Sequence, residues 1–259
     1  INGDGLGDLF VGAPSSNLVH LFSGRATVPS ATPSWTRAGE GKFGASIVGV
    51  GDLNRDGLED VAIGSPEATR VALNDGRVDI FFGASSIPSE PSVTLYGEVH
   101  GGQFGASLVG ADMNGDGGAE LLVGSPEAFA GLPAERVGLV ERFTWSAAGA
   151  PPTRGAPFAL GTGLQLGSVR GLGTHMVAGD LNDDGQDDVI VQDANGWVLA
   201  WHGGPRDARW PAWATYGPST IATGDAHADG MTDVLMADTS SGTLQLAKGQ
   251  DLPFDDDFD

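Results

Sequence analysis

The nine residues Asp52-Leu53-Asn54-Arg55-Asp56-Gly57-Leu58-Glu59-Asp60 decide the fold, because their pattern returns along the chain. Oxygen-bearing side chains stand at positions one, three, five and nine of this run, and glycine stands at position six. Repetition of one short pattern indicates a repeat architecture, in which each copy belongs to one structural unit.

Four further copies share this spacing, and we number the five loops 1 to 5 in chain order. Loop 1 begins at position two, so it contains no position-one residue, and in loop 5 His227 replaces the oxygen-bearing residue at position three. The matching residues are Asn2, Asp4, Gly5 and Asp8 in loop 1; Asp112, Asn114, Asp116, Gly117 and Glu120 in loop 3; Asp180, Asn182, Asp184, Gly185 and Asp188 in loop 4; and Asp225, Asp229, Gly230 and Asp233 in loop 5.

The residue types and their spacing predict calcium binding. Ca²⁺ takes about six to eight oxygen ligands at roughly 2.3 to 2.6 Å. Positions one, three and five of a tightly wound loop can reach one ion, glycine at position six permits a sharp turn with positive φ, position seven offers its carbonyl, and position nine closes the shell. We therefore predict about three to five Ca²⁺ ions, one per loop.

The predicted ligands follow from these positions. His227 is excluded from them, because we expect it to be a solvent-exposed substitution. The ligands are Asn2, Asp4, Leu6 and Asp8; Asp52, Asn54, Asp56, Leu58 and Asp60; Asp112, Asn114, Asp116, Gly118 and Glu120; Asp180, Asn182, Asp184, Gln186 and Asp188; and Asp225, Asp229, Met231 and Asp233.

The loops differ from EF-hands at position twelve, where an EF-hand requires a glutamate. Ile63, Val123, Val191 and Met236 stand there, inside short apolar runs that are typical of buried strands. The simplest alternative is that Asp-Gly segments are ordinary hairpin turns. An acidic residue at position nine of every copy favours the metal interpretation.

Composition restricts the partners and the chemistry. With 34 acidic and 13 basic residues, the net charge of −21 disfavours nucleic acid and anionic membranes as partners. A hydrophobic fraction of 40% predicts a folded core, and no apolar run is long enough to insert into a membrane. The absence of cysteine excludes disulfides and thiol chemistry.

Short β-rich runs punctuated by 42 glycines and 15 prolines predict an all-β fold. In the best-defined repeat we predict four strands, over residues 45–50, 60–64, 77–82 and 92–96. The next repeat opens with Phe104-Gly105-Ala106-Ser107, which matches Phe43-Gly44-Ala45-Ser46. Four-stranded units at this spacing predict a β-propeller, here as a single domain over residues 1–259.

At this point the chain resembles the FG-GAP repeat family of calcium-binding propellers, which includes the heads of integrin α-chains. Phe43-Gly44 and Phe104-Gly105 match the first element of the motif, and Gly12-Ala13-Pro14, Gly64-Ser65-Pro66 and Gly124-Ser125-Pro126 match the second. Later repeats diverge, with Leu166-Gly167 and Tyr216-Gly217 assigned to the first element, and with Gln192-Asp193-Ala194 and Ala237-Asp238-Thr239 assigned to the second.

The resemblance implies about five FG-GAP-type repeats, beginning near residues 1, 43, 104, 166 and 216. Integrin-like heads have seven blades, so a fragment of a seven-bladed propeller stays an open alternative. The implied function is a calcium-stabilised, non-catalytic module for protein interaction or cell adhesion, located outside the cell, at the cell surface or in the periplasm. A lectin-like propeller with a glycan ligand and an accessory propeller of a larger secreted enzyme are the alternatives.

Two segments carry separate expectations. The chain starts at Ile1 without methionine, which suggests a processed form or a fragment, and residues 255–259 would complete loop 1 if they preceded Ile1. We therefore hypothesise that the C-terminal segment supplies the first strand of the first blade. The insert over residues 146–173 is rich in Gly, Ala and Pro, and is expected to project as a loop.

A search for catalytic motifs finds no nucleophile elbow, zinc-protease helix or phosphate-binding loop, and we predict that the chain is not an enzyme. Trp197 and Trp201 alternate along a predicted strand and so share one face, where they would stack on sugars or pack between blades. Packing between blades is the more common use of such rings.

Overall fold

The fold is built from antiparallel strands. A computed structural model describes residues 1–26, 31–71, 73–130, 135–146, 150–158, 170–204, 213–216, 220–238 and 241–248. These residues contain no α-helix, and one short 3-10 helix spans Pro14–Ser16. The strands are β1 (Leu9–Ala13), β2 (Leu18–Phe22), β3 (Trp35–Ala38), β4 (Ser46–Gly51), β5 (Asp60–Ser65), β6 (Arg77–Phe81), β7 (Val93–Tyr96), β8 (Ser107–Ala111), β9 (Glu120–Ser125), β10 (Phe129–Ala130), β11 (Glu135–Arg136), β12 (Leu139–Thr144), β13 (Thr153–Arg154), β14 (His175–Gly179), β15 (Asp188–Gln192), β16 (Trp197–Trp201), β17 (Trp213–Tyr216), β18 (Thr220–Gly224), β19 (Asp233–Asp238) and β20 (Thr243–Ala247).

The strands form five successive sheets and one small hairpin. Sheet 1 has the order β1-β2-β3, sheet 2 β4-β5-β6-β7, sheet 3 β8-β9-β12-β13, sheet 4 β14-β15-β16-β17 and sheet 5 β18-β19-β20, while β10 pairs with β11. The first strand of each sheet contacts the first strand of the next sheet in chain order. The four strands that the sequence predicts for the second repeat correspond to β4 to β7, with ends that differ by one residue.

Each interior sheet packs on both faces, which explains why β5 and β9 are buried throughout. Val61 and Ile63 of β5 pack with Val19 of sheet 1, whereas Ala62, on the opposite face, packs with Leu121 of sheet 3. A strand buried on both faces has continuous rather than alternating apolar residues. The apolar runs of the sequence therefore reflect the layering of sheets.

Glycines of successive sheets pack backbone against backbone. A Cβ on Gly64 would lie 2.1 Å from the carbonyl oxygen of Gly105, and a Cβ on Gly12 would lie 2.2 Å from that of Gly44. Gly44 and Gly105 have φ of 86° and 87°, a conformation that side chains disfavour. The two sequence elements of the motif thus hold neighbouring sheets together.

The fourth repeat corrects one sequence assignment. A Cβ on Gly124 would lie 2.3 Å from the carbonyl oxygen of Gly173, which has φ of 85°, and Leu172 is fully buried like Phe104. Leu172-Gly173 therefore occupies the place that the sequence analysis gave to Leu166-Gly167, residues that lie outside the described ranges. From the glycine of the element to position one of the loop the interval is seven residues in repeats three and four and eight in repeat two, whereas the linker before the element varies more, and this linker misled the assignment.

The insert over residues 146–173 is likewise not a projecting loop throughout. Thr153–Arg154 forms β13, which pairs with β12 and completes sheet 3. Phe158 packs edge-on against Trp201, with ring centroids 5.8 Å apart. Residues 147–149 and 159–169 of the insert, and the C-terminal residues 255–259 of the ring-closure hypothesis, lie outside the described ranges.

Candidate metal centres

Each loop leads directly into a strand, which is the first described strand of sheet 1 and the second strand of sheets 2 to 5. Loop 2 joins β4 to β5, and loop 1 leads into β1. Loops 3, 4 and 5 join β8 to β9, β14 to β15 and β18 to β19. The position-twelve residues Ile63, Val123, Val191 and Met236 lie within strands, which agrees with the exclusion of an EF-hand.

Position one closes the turn of loop 2. The two carboxylate oxygens of Asp52 accept hydrogen bonds from the backbone N–H groups of Asp56 at 3.0 Å and Gly57 at 2.7 Å. Asn54 Oδ1 also accepts the Asp56 N–H, at 2.9 Å, and Asp56 Oδ1 accepts the Leu58 N–H at 2.9 Å. Side-chain oxygens of alternate residues therefore converge on the inside of the turn.

The same bonds recur in the other loops. Gly117, Gly185 and Gly230 donate their N–H groups to the position-one carboxylates of loops 3, 4 and 5, at 2.8, 2.9 and 3.1 Å. In every loop the position-seven residue donates its N–H to the position-five carboxylate; these donors are Leu6, Leu58, Gly118, Gln186 and Met231. The repeated spacing thus produces one repeated geometry.

Position nine is buried and ties each loop to its sheet. Asp60 accepts the N–H of Leu53 at 2.9 Å and that of Gly83, which follows β6, at 2.8 Å. Asp188 of loop 4 makes equivalent bonds, from the N–H of Leu181 at 2.9 Å and from that of Gly203, which follows β16, at 3.0 Å. The glycines have no motif of their own, and sequence reasoning missed them.

Burial shifts the ionisation of two position-nine groups. It raises the pKa of Asp60 to about 6 and that of Glu120 to about 7, against the lowering effect of backbone N–H donors. By contrast, the Gly118 N–H, together with the Arg55 guanidinium, holds the pKa of the exposed Asp116 below its ordinary value. Buried carboxylates beside further carboxylates are unfavourable without a compensating positive charge.

Loop 3 has the most compact arrangement of acidic groups. One carboxylate oxygen each from Asp112, Asp116 and Glu120 lies within 4.8 Å of the others, and this is the only group of three His, Cys, Asp or Glu found with such spacing in the described ranges. Two ligands on opposite sides of a Ca²⁺ ion are separated by about 4.6 to 5.2 Å. The separation and the all-oxygen donors therefore fit a divalent cation of this size.

Direct bonds connect neighbouring loops, which the sequence analysis did not anticipate. Arg55 of loop 2 donates to Asp116 Oδ2 at 2.6 Å, and Asp187 of loop 4 accepts the Asp112 N–H of loop 3 at 2.8 Å. Burial raises the pKa of Asp187. Arg55 is the single Lys or Arg in the five loops, so the sequence alone could have singled it out. Position eight, where Asp187 stands, has no repeated residue type and offers no such signal.

The other sequence candidates have structural roles. Trp201 is fully buried and Trp197 packs against the same cluster between sheets 3 and 4, as expected for packing between blades. His227 is exposed, as predicted, but its Nδ1 also lies 2.8 Å from the position-nine carboxylate of Asp233. The described residues contain no helix of the length and apolarity needed to cross a membrane.

Comparisons with known proteins agree with this arrangement of sheets and loops. The FG-GAP-like repeat family matches residues 1–63, and the FG-GAP repeat family matches residues 104–137. Human integrin alpha-7 is 36% identical over 138 residues, which cover 48% of this chain and 11% of the integrin. Bovine phosphatidylinositol-glycan-specific phospholipase D is 32% identical over 164 residues, covering 55% of this chain and 19% of the enzyme.

Among solved structures, a crystal structure of BBS1N in complex with ARL6DN aligns over 95% of this chain and 88% of that chain, with 10% identity. Its TM-score of 0.39 is too low for comparing the arrangement of the sheets. The repeated sheets and their loops define an all-β propeller-type repeat protein. The chain contains FG-GAP repeats over residues 1–63 and 104–137 and is similar to integrin alpha chains, and it spans a small part of the length of the relatives named above.

Proposed function

We propose that this chain is a calcium-stabilised, non-catalytic propeller that acts as an extracellular protein-interaction or cell-adhesion module. The observation that carries the proposal is the repeated loop geometry, in which oxygens of positions one, three and five converge beside a buried position-nine carboxylate. Integrin and phospholipase relatives with the same kind of repeat support it.

Calcium would act on stability in this proposal. In loop 3, Asp112, Asp116 and Glu120 would hold the ion, with Asn114 and the Gly118 carbonyl as further donors. The ion would offset the repulsion among these carboxylates and the cost of burying Glu120. At millimolar calcium and a dissociation constant near 0.1 mM, binding stabilises the folded state by about 1.4 kcal/mol per site.

Thermal unfolding tests the calcium role directly. The melting temperature of chelator-treated protein is measured before and after addition of 2 mM Ca²⁺, with 2 mM Mg²⁺ as the control ion. We expect a rise of several degrees with calcium and a smaller rise with magnesium, because Mg²⁺ demands near-octahedral geometry and retains its waters. An unchanged melting temperature with both ions would remove the structural role of calcium.

The interaction role needs a separate experiment. The immobilised chain is exposed to a panel of extracellular matrix proteins in calcium and in chelator, and calcium-dependent binding to a member of the panel is expected. The protein named as a phospholipase among the relatives favours a second candidate, an accessory propeller of a larger secreted enzyme. If this second candidate is correct, the chain on its own should bind no matrix protein of the panel. A catalytic domain should instead remain associated with the chain.

A further inference from the structure

Loop 4 fixes the position-one residue of loop 3 at both of its backbone groups. The N–H of Asp112 donates to Asp187 Oδ2 at 2.8 Å, and the N–H of Asp187 donates to the carbonyl oxygen of Asp112 at 2.9 Å. A third bond runs from the N–H of Gly204, in the segment after β16, to the carbonyl oxygen of Met113 at 2.6 Å. The start of loop 3 is therefore held by the repeat that contains loop 4.

Asp187 stands between two predicted ligands of loop 4. At position eight, it follows Gln186, which offers its carbonyl, and precedes Asp188, which offers its side chain. A cation held by both neighbours would restrict the backbone of Asp187. Its partner Asp112 is itself a predicted ligand of loop 3, and its carboxylate closes that loop by accepting the Gly117 N–H. The contact thus joins the ligands of one loop to the ligands of the next.

A similar backbone bond joins loops 4 and 5. Thr232, at position eight of loop 5, donates its N–H to the carbonyl oxygen of Asp180, at position one of loop 4, at 3.1 Å. Thr232 has no carboxylate that could accept a bond from the Asp180 N–H in return. The backbone bond is therefore repeated, and the side chain of Asp187 adds a second bond between loops 3 and 4.

Repulsion between two cations opposes any mutual support of the two sites. The position-five carboxylates of loops 3 and 4 are exposed, and salt screens exposed charges over about 8 Å at physiological ionic strength. The Asp187 carboxylate also lies close enough to Asp112, Asp180 and Asp188 to repel their carboxylates. Its negative charge would attract cations in both loops, which reduces the effect of their repulsion.

We propose that loops 3 and 4 bind calcium cooperatively, with Asp187 as the positioning residue that couples them. Asp187, once fixed by the ligands on either side of it, holds Asp112 in place, so loop 3 loses less conformational freedom when it binds its own cation. By thermodynamic linkage, loop 3 supports loop 4 to the same extent. The coupling rests on the proposed calcium function and goes beyond it, because separate loops of this kind would bind calcium independently.

Nuclear magnetic resonance can observe the two loops separately in the full chain. The reporters are the backbone amides of Gly117 in loop 3 and Gly185 in loop 4, both of which donate to position-one carboxylates. Their signals are followed while calcium is added to chelator-treated protein. D184N removes a position-five ligand of loop 4. We expect D184N to weaken calcium binding at loop 3 about fivefold, as measured at Gly117.

Variants at position eight test the role of Asp187. In the D187A chain, addition of D184N should weaken calcium binding at loop 3 less than about twofold, because the bond to the Asp112 N–H is missing. D187N removes the charge and keeps an oxygen that accepts this bond, so the effect of D184N should stay about threefold or more. E59A is the matched control, since Glu59 is the exposed position-eight residue of loop 2, and it should leave the effect at about fivefold.

Several results would overturn the coupling. They are an unchanged or tighter calcium affinity of loop 3 in D184N, an equal effect of D184N in the unaltered and D187A chains, and a D187N chain that behaves like D187A. In each case calcium-dependent shifts at Gly117 and Gly185 would still support the proposed function. No calcium-dependent shift at either glycine of the unaltered chain would contradict the proposed function itself. The comparison of D184N with the unaltered chain tests cooperativity even if D187A does not fold.

Discussion

Sheet 3 and sheet 1 are built from the same motif, but their strands have different surroundings. Leu121 and Leu9 both stand at position ten, directly after the position-nine carboxylate, yet Leu121 is fully buried and Leu9 is 58% exposed. Sheet 3 packs between sheets 2 and 4, whereas among the residues that the structure describes sheet 1 packs against sheet 2 alone. The burial of a strand is therefore set by its neighbours.

The loops show the opposite behaviour. In loop 1 the Leu6 N–H donates to Asp4 Oδ1 and the Asp4 N–H donates to Asn2 Oδ1, as the corresponding groups do in loops 2 to 4. These bonds join residues two apart, so they need no support from another sheet. The turn is therefore a local property of nine residues, whereas the buried core depends on the stacking of sheets.

The largest expected effect on stability is at position ten, where sheets 3 and 1 differ in burial. L121A should cost about 2 to 5 kcal/mol of unfolding free energy, because it leaves a cavity in a packed core. L9A removes the same atoms from an exposed site and should cost less than about 0.5 kcal/mol. Urea unfolding in saturating calcium measures both. Equal costs would mean that sheet 1 is covered in solution.

Position five tests whether a complete loop is needed for calcium. D116N should remove most of the calcium-dependent stabilisation of loop 3, up to about 1.4 kcal/mol. D4N alters the same position of loop 1, which contains no position-one carboxylate, and should leave the calcium response nearly unchanged. The measurement is the difference in melting temperature between calcium and chelator for each variant. A larger loss of calcium-dependent stabilisation for D4N than for D116N would contradict the assignment of calcium to loop 3.

The bond between loops 2 and 3 should tune calcium affinity. R55A removes a positive charge that contacts the Asp116 carboxylate, so calcium should bind loop 3 more tightly. The interaction of two charges at about 4 Å in water is about 1 kcal/mol, equivalent to roughly fivefold in affinity. Titration calorimetry measures the change. K248A, which removes an exposed charge after β20, is the control, and equal tightening in both variants would indicate net charge instead of contact.

The smallest effect is expected on sheet 5. Leu244 of β20 is 68% exposed, and L244S should change the unfolding free energy by less than about 0.5 kcal/mol. Val198 has the corresponding register in sheet 4 and is fully buried. V198S should therefore cost more than about 2 kcal/mol, since it loses apolar contacts and buries a hydroxyl. A large cost for L244S in the same urea assay would show that a further surface covers sheet 5.

Much of the fold could be predicted from particular residues. The apolar residues at position twelve excluded an EF-hand and indicated strands, and β4 to β7 lie within one residue of their predicted ends. Leu172-Gly173 was missed, because the residues of the fourth repeat diverge and only close packing against Gly124 reveals their role. The predicted ligands stay a prediction, supported most strongly in loop 3 by the closeness of three carboxylates.

The sequence by itself determined the loops, since each turn is closed by hydrogen bonds between residues two to five apart and by a glycine that permits positive φ. It also determined which segments are strands. Only the tertiary structure decided which of those strands are buried and which loops touch through Arg55 and Asp187. These properties depend on contacts between residues far apart in the chain, and a local motif that is nearly identical in sheets 1 and 3 carries no information about them.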